Sequence, residues 1–123
     1  MPVPILKQGA FLIACIQPGL SDHQLLMLED HLSGEVERSR AEGVIIDVSA
    51  LDVMDSFATR TLRSISQTTR LRGARTVVVG IQPDVAFAMI QLGLTMDDVS
   101  TALDLEEAIA TLAAGRAKRH GRG

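Results

Sequence analysis

Between Val44 and Arg60 the chain gathers three carboxylates, Asp47, Asp52 and Asp55, and two hydroxyls, Ser49 and Ser56. Acids and hydroxyls this closely spaced could do three kinds of chemistry. They could form part of a serine hydrolase, hold Mg²⁺ while an aspartate takes up phosphate, or present a serine for phosphorylation. Each needs different partner residues, and the rest of the chain has to supply them.

A hydrolase needs a base for Ser56. His23, His31 and His120 are scattered, and the Gly-x-Ser-x-Gly turn that exposes a nucleophilic serine is absent. A metal site fares no better, with no cysteine pair, no His-Glu-x-x-His, and His23 and His31 eight residues apart. No metal or cofactor is expected. Neither Gly-x-Gly-x-x-Gly nor a phosphate-binding Gly-Lys-Ser/Thr loop occurs, so a standard nucleotide site has no support. A phosphorylated receiver domain would place Asp47 or Asp52 at a strand end, but it needs further acids after an earlier strand, because Mg²⁺ wants several oxygen ligands. Here that strand ends in Gln17-Pro18-Gly19, with no acid before Asp22, and after Lys7 the next lysine is Lys118.

A phosphorylated serine needs only exposure and a fold that tolerates the charge. Asp55 and Ser56 precede a helical pattern, and either suits the N-cap. The plainer reading is that Ser56 is only a cap. The functional reading is that a hydroxyl at a helix start is open to a kinase. A phosphate there adds about −1.5 to −2 charges, which the helix dipole and free N–H groups favour. Asp52 and Asp55 would oppose it, so the modification should act mainly on a docked partner.

The elements that must position this stretch follow from periodicity. Val3 to Gln8 and Ala10 to Gln17 read as two strands around a Gly9 turn. Phe11 to Ile16 is apolar on both faces, hence central, and Pro18-Gly19 ends it. Ser21 or Asp22 caps a helix whose inner stripe is Leu25, Leu28, Leu32 and Val36, with Gly43 as its C-terminal cap. Val44 to Val48 is a strand buried on both faces. From Phe57, Ala58, Thr61, Leu62, Ile65 and Thr69 share a helical face ended by Gly73. Thr76 to Val79 is a further strand. Pro83 and Asp84 open a helix with Val85, Met89 and Leu92 inward, stopped by Gly93. Val99 to Leu103 is a short edge strand, and Asp104 with Glu107 forms a capping box for a last helix, with Ala108, Ile109 and Leu112 inward. The fold class is α/β: one domain over residues 1–115 with a mixed central sheet, opened by a hairpin and covered by about four helices. Residues 116–123 form a basic flexible tail containing Arg116, Lys118, Arg119 and Arg122.

Composition narrows the class. The 123 residues include three Phe and neither Trp nor Tyr, so the core is aliphatic and base stacking has no platform. The net charge of −3 gives no broad attraction to nucleic acid or anionic membrane. Cys15 is alone and lies in an apolar run, which suits a small hydrophobe in a reducing cytoplasm. No stretch reaches the ~20 apolar residues of a membrane span, and Met1-Pro2-Val3-Pro4 does not begin a signal peptide.

The element order, with Ile45-Ile46-Asp47-Val48-Ser49 running into Met54-Asp55-Ser56-Phe57, resembles the STAS domain, the fold of bacterial anti-sigma-factor antagonists, over essentially the whole chain. The resemblance implies that Ser56 is the phosphoacceptor. SpoIIAA-like members have Asp-Ser-Ser/Thr-Gly, whereas Asp55-Ser56-Phe57-Ala58-Thr59-Arg60 looks more like the RsbS-type scaffolds of the stressosome. That implies a large assembly with RsbR-type paralogues. It also implies sequestration of an RsbT-type serine/threonine kinase that phosphorylates its antagonist. Thr59 or Ser49 would be secondary targets. Asp55, Ser56, Phe57, Thr59, Arg60 and Arg63 would form the partner surface, with Met54 and Phe57 as core plugs or anchors. The expected role is therefore a non-enzymatic, cytoplasmic regulator. The alternatives are a stand-alone module binding a nucleotide or lipid, and a SpoIIAA-type antagonist binding an anti-sigma factor directly.

Overall fold

The computed structural model describes residues 3–94 and 99–120. The chain forms β1 (Ile5–Gln8), β2 (Phe11–Cys15), α1 (Asp22–Ser39), β3 (Gly43–Asp47), α2 (Ser56–Leu71), β4 (Arg75–Val79), α3 (Pro83–Gln91), β5 (Ser100–Ala102) and α4 (Leu105–His120). The five strands lie side by side in sequence order. β1 and β2 form an antiparallel hairpin through Gly9, whose φ of 60° a side chain would resist. β2 to β5 are parallel.

Sequential order with right-handed crossovers places α1, α2 and α3 on the same face. The core follows this division. Leu12, Val44, Ile46 and Val78 pack with Leu28, Leu32, Leu62 and Val85 under the three helices. Ile13, Ile45, Val77 and Val79 alternate to the other face, where Ala108 and Leu112 of α4 cover them. Because β3 and β4 are buried on both sides, their sequences show runs rather than alternation. At about 25 cal/mol per Å² of apolar area, each fully buried Val or Ile stabilises the fold by about 1.5–3 kcal/mol before entropy is counted.

Several boundaries differ from the sequence reading. α1 ends earlier than Gly43: Arg40 adopts the left-handed conformation (φ 53°, ψ 43°) and its N–H reaches the Val36 carbonyl. Gly43 instead opens β3, where a Cβ would lie 2.6 Å from Leu112 Cδ1. Leu92 does not line the core. α3 stops at Gln91, and buried Leu94 takes the inward place after Gly93 turns the chain. The box at α4 forms by half as expected, with the Glu107 N–H donating to Asp104 Oδ1, but its return arm falls one residue early, the Glu107 carboxylate accepting from Leu103 N–H. The backbone of α4 runs to His120, past residue 115, as its Ala-rich sequence and late basic residues favour. The side chains of Arg116, Lys118, Arg119 and His120, and all of Arg122, lie outside the described residues.

Candidate functional site

The stretch from Asp47 to Ser56 leaves the sheet at the C-terminal edge of its parallel strands, where loops of an open α/β sheet converge. Its path is fixed at several points. Asp47 Oδ1 accepts the Ser49 N–H at 2.8 Å. Leu51 N–H closes a turn on Val48 O at 2.9 Å. Gln82, the N-cap of α3, donates its side-chain amide to the Ser49 carbonyl at 2.9 Å. Gly80 sits so close that a Cβ would meet Ser49 Cβ at 2.6 Å. Leu51 and Met54 then turn inward and are buried, while Asp52 and Val53 stay outside.

The loop ends at the start of α2. Asp55 is the N-cap, and its Oδ1 accepts the Ala58 N–H at 2.8 Å. The first intrahelical bond runs from Thr59 N–H to Asp55 O at 3.1 Å. The N–H groups of Ser56 and Phe57 therefore precede the hydrogen-bond ladder and face outward with the positive end of the helix dipole. Ser56 is the first helical residue and is exposed. Since Asp55 does the capping, the Ser56 hydroxyl is not needed for it.

The other expected site residues divide. Arg60 is exposed one turn beyond Ser56. Phe57 is half-buried and packs against the three-helix core, so it is a plug more than an anchor. Arg63 is half-buried and donates to the Gly93 carbonyl, tying α2 to the end of α3. Thr59 corrects the sequence reading. It was expected on the helix surface as a second target, but it is 1% exposed and its hydroxyl donates to Asp55 O at 3.0 Å. A kinase cannot reach it without opening the helix. Ser49 is exposed.

Three features have no clear signal in the sequence. Val53 is 77% exposed beside the acceptor loop, although its residue type suggests burial. Next to it lies a groove of about 290 Å³ between Pro18-Gly19 and Val53-Met54, floored by Leu25, Leu62 and Ile65. Cys15, expected inside, is exposed at the end of β2 opposite Asp47. Partial burial, and secondarily the Asp47 carboxylate, push its thiol above the ordinary value.

Among the described residues, no hydrogen bond joins Ser56 to a histidine, and no cluster of His, Cys, Asp and Glu could hold a metal ion. No described helix is long and apolar enough to cross a membrane.

Comparison with known proteins adds to this geometry. The STAS domain model matches residues 5–108. An RsbS variant from Moorella thermoacetica superposes with a TM-score of 0.82 at 33% identity, covering 98% of each chain. A chain from the molecular architecture of the stressosome, a signal integration and transduction hub, gives 0.81 at 34% identity, covering 90% of this chain and 96% of that one. The RsbT co-antagonist protein RsbRA of Bacillus subtilis is 31% identical over 85 residues, covering 69% of this chain. The chain spans only 31% of that relative's length.

Proposed function

The chain belongs to the STAS-domain family of anti-sigma-factor antagonists, with RsbS- and RsbR-like relatives, and on that premise we propose that it holds and is switched by a serine/threonine kinase. The surface around Ser56 docks an RsbT-type kinase, within a larger cytoplasmic assembly that includes RsbR-like paralogues. The kinase transfers the γ-phosphoryl group of ATP to the Ser56 oxygen, ADP leaves, the hydroxyl proton passes to solvent, and the kinase is released. The antagonist itself catalyses nothing.

The observation that carries this reading is the division of labour at the helix start: Asp55 caps α2 while the adjacent Ser56 hydroxyl stands exposed. A phosphate on Ser56 meets the uncommitted first-turn N–H groups, favourable by about 0.3–1 kcal/mol, and the exposed Arg60 four residues on, favourable by about 0.2–0.5 kcal/mol. Asp52 and Asp55 repel it by comparable amounts, which leaves the fold close to neutral towards the change. A docked partner gains no such compensation. Its surface meets about two new negative charges next to Val53 and the groove, and like-charge or desolvation costs fall on the complex.

The test is incubation with an RsbT-type kinase and ATP, followed by intact-mass analysis and site mapping. One phosphate on Ser56 is expected. Ser56→Ala should stay folded, retain the kinase in pull-down, and take up no phosphate at this position. A phosphate mapped elsewhere with Ser56 untouched would overturn the proposal. Ser56→Asp should weaken kinase retention without unfolding the domain, and only partly, because it carries one charge on a shorter arm.

A further inference from the structure

The sheet ends in two open edges of opposite character. At one edge, β1 exposes Leu6 (62%) and Lys7. Lys7 pairs in register with Leu12, so it stands on the three-helix face, and Leu6 pairs with Ile13 on the α4 face. At the other edge, β5 is three residues long and is paired on one side only. Beside it Ile90 and Leu103 are 73% and 82% exposed. Ile90, Thr101, Leu103 and Glu107 border a groove of about 390 Å³ between α3 and β5. The Glu107 carboxylate is held there by the Leu103 N–H, and exposed Asp104 and Glu106 add to the negative charge.

We propose that these two edges are a pair: β1 of a second copy docks parallel to β5, continuing the sheet with the faces of the second copy exchanged, which sets Lys7 and Leu6 of one copy against Glu107 and Leu103 of the other. Three observations favour this occupant. Both edges carry unpaired backbone groups, which accept an added strand. Both carry exposed apolar side chains that burial would remove from water. Charge decides the pairing. Joining two β1 edges sets Lys7 against Lys7, and joining two β5 edges sets Asp104, Glu106 and Glu107 against themselves. Only the unlike pairing is complementary. An interface between unlike patches leaves one of each free on every dimer, so it propagates into a ring or a chain.

This deepens the assembly part of the proposed function and rests on that reading only in expecting copies to associate. The test is sedimentation velocity of the purified chain over a concentration series at low and high salt. The mass should rise with concentration and fall as salt screens the edges. Lys7→Glu or Glu107→Lys alone should weaken association by about ten-fold or more, and the two combined in one chain should restore it. Leu103→Asp, at an exposed position that folding does not need, should give a monomer. Circular dichroism establishes that each variant is folded. A chain that stays monomeric at high concentration overturns the proposal. So does assembly indifferent to all of these changes, which would leave assembly itself intact but place it on another surface. Retention of the kinase by Lys7→Glu and Leu103→Asp is read separately: its loss in the wild-type chain as well would count against the Ser56 reading and not against the edge pairing.

Discussion

The Asp55 carboxylate accepts the Ala58 N–H at 2.8 Å and thereby takes the capping role that the next residue, Ser56, could equally have filled. Structure and modification are thus assigned to neighbouring side chains. If Ser56 were the cap, phosphorylating it would disturb the bond that starts the helix. With Asp55 as the cap, the serine can change charge while α2 keeps its first turn.

That separation can be measured. Asp55→Ala removes the cap and should cost about 1 kcal/mol of stability, whereas Asp55→Ser should retain most of it. Ser56→Ala should change stability by less than about 0.5 kcal/mol, as expected for an exposed side chain without a structural bond. Urea denaturation midpoints check all three. A larger loss for Ser56→Ala than for Asp55→Ala would mean that the serine, not the aspartate, holds the helix start.

Much of this arrangement could be read from the sequence, for reasons that also explain the failures. The runs Val44–Val48 and Thr76–Val79 are unbroken because both faces of these strands are covered, and Leu25, Leu28, Leu32 and Val36 keep strict helical spacing. Thr59 was missed because a threonine can satisfy its hydroxyl on the carbonyl four residues back and then be buried like a valine. Thr69 does the same on Ile65 O and also meets Thr76 Oγ1 at 2.9 Å, so the inner row of α2 is more polar than its burial. Gly43 misled because glycine is the usual left-handed cap, and here Arg40 adopts that conformation. The groove beside Val53 and the exposure of Cys15 depend on where separate loops end in space, which no local pattern records.

Gly80 illustrates how a distant residue shapes the acceptor loop. Its φ is 73°, and a Cβ would press on Ser49 at 2.6 Å and on Asp47 Oδ1 at 3.2 Å. Gly80→Ala therefore combines a left-handed alanine with a clash against the loop, and should destabilise by about 1–3 kcal/mol. The strain can be relieved only by moving Ser49, which would break its bond with Gln82 and shift the path towards Ser56. Kinase retention should fall even at temperatures where the variant is fully folded. Gln82→Ala, which removes one exposed bond and adds no clash, should lower stability by less. Denaturation paired with pull-down distinguishes the two effects, and wild-type stability in Gly80→Ala would show that the loop has slack.

Cys15 gives a pH-dependent prediction. Its thiol lies opposite Asp47 at the end of β2, and burial first, the carboxylate second, hold its pKa above the ordinary value. The protonated thiol is the favoured form, so between the ordinary and the raised pKa a smaller fraction is the reactive thiolate. Alkylation by iodoacetamide near pH 8 should accordingly be slower than for an unstructured cysteine peptide, and its rate should inflect at higher pH. Asp47→Asn removes the repulsion while its side-chain oxygen can still accept the Ser49 N–H. The inflection should then move down, but not the whole way, since burial is the larger cause and remains. A full return to the peptide's profile would assign the effect to Asp47 alone. No movement would mean that the carboxylate does not act on the thiol, and that shielding at the strand end accounts for its low reactivity.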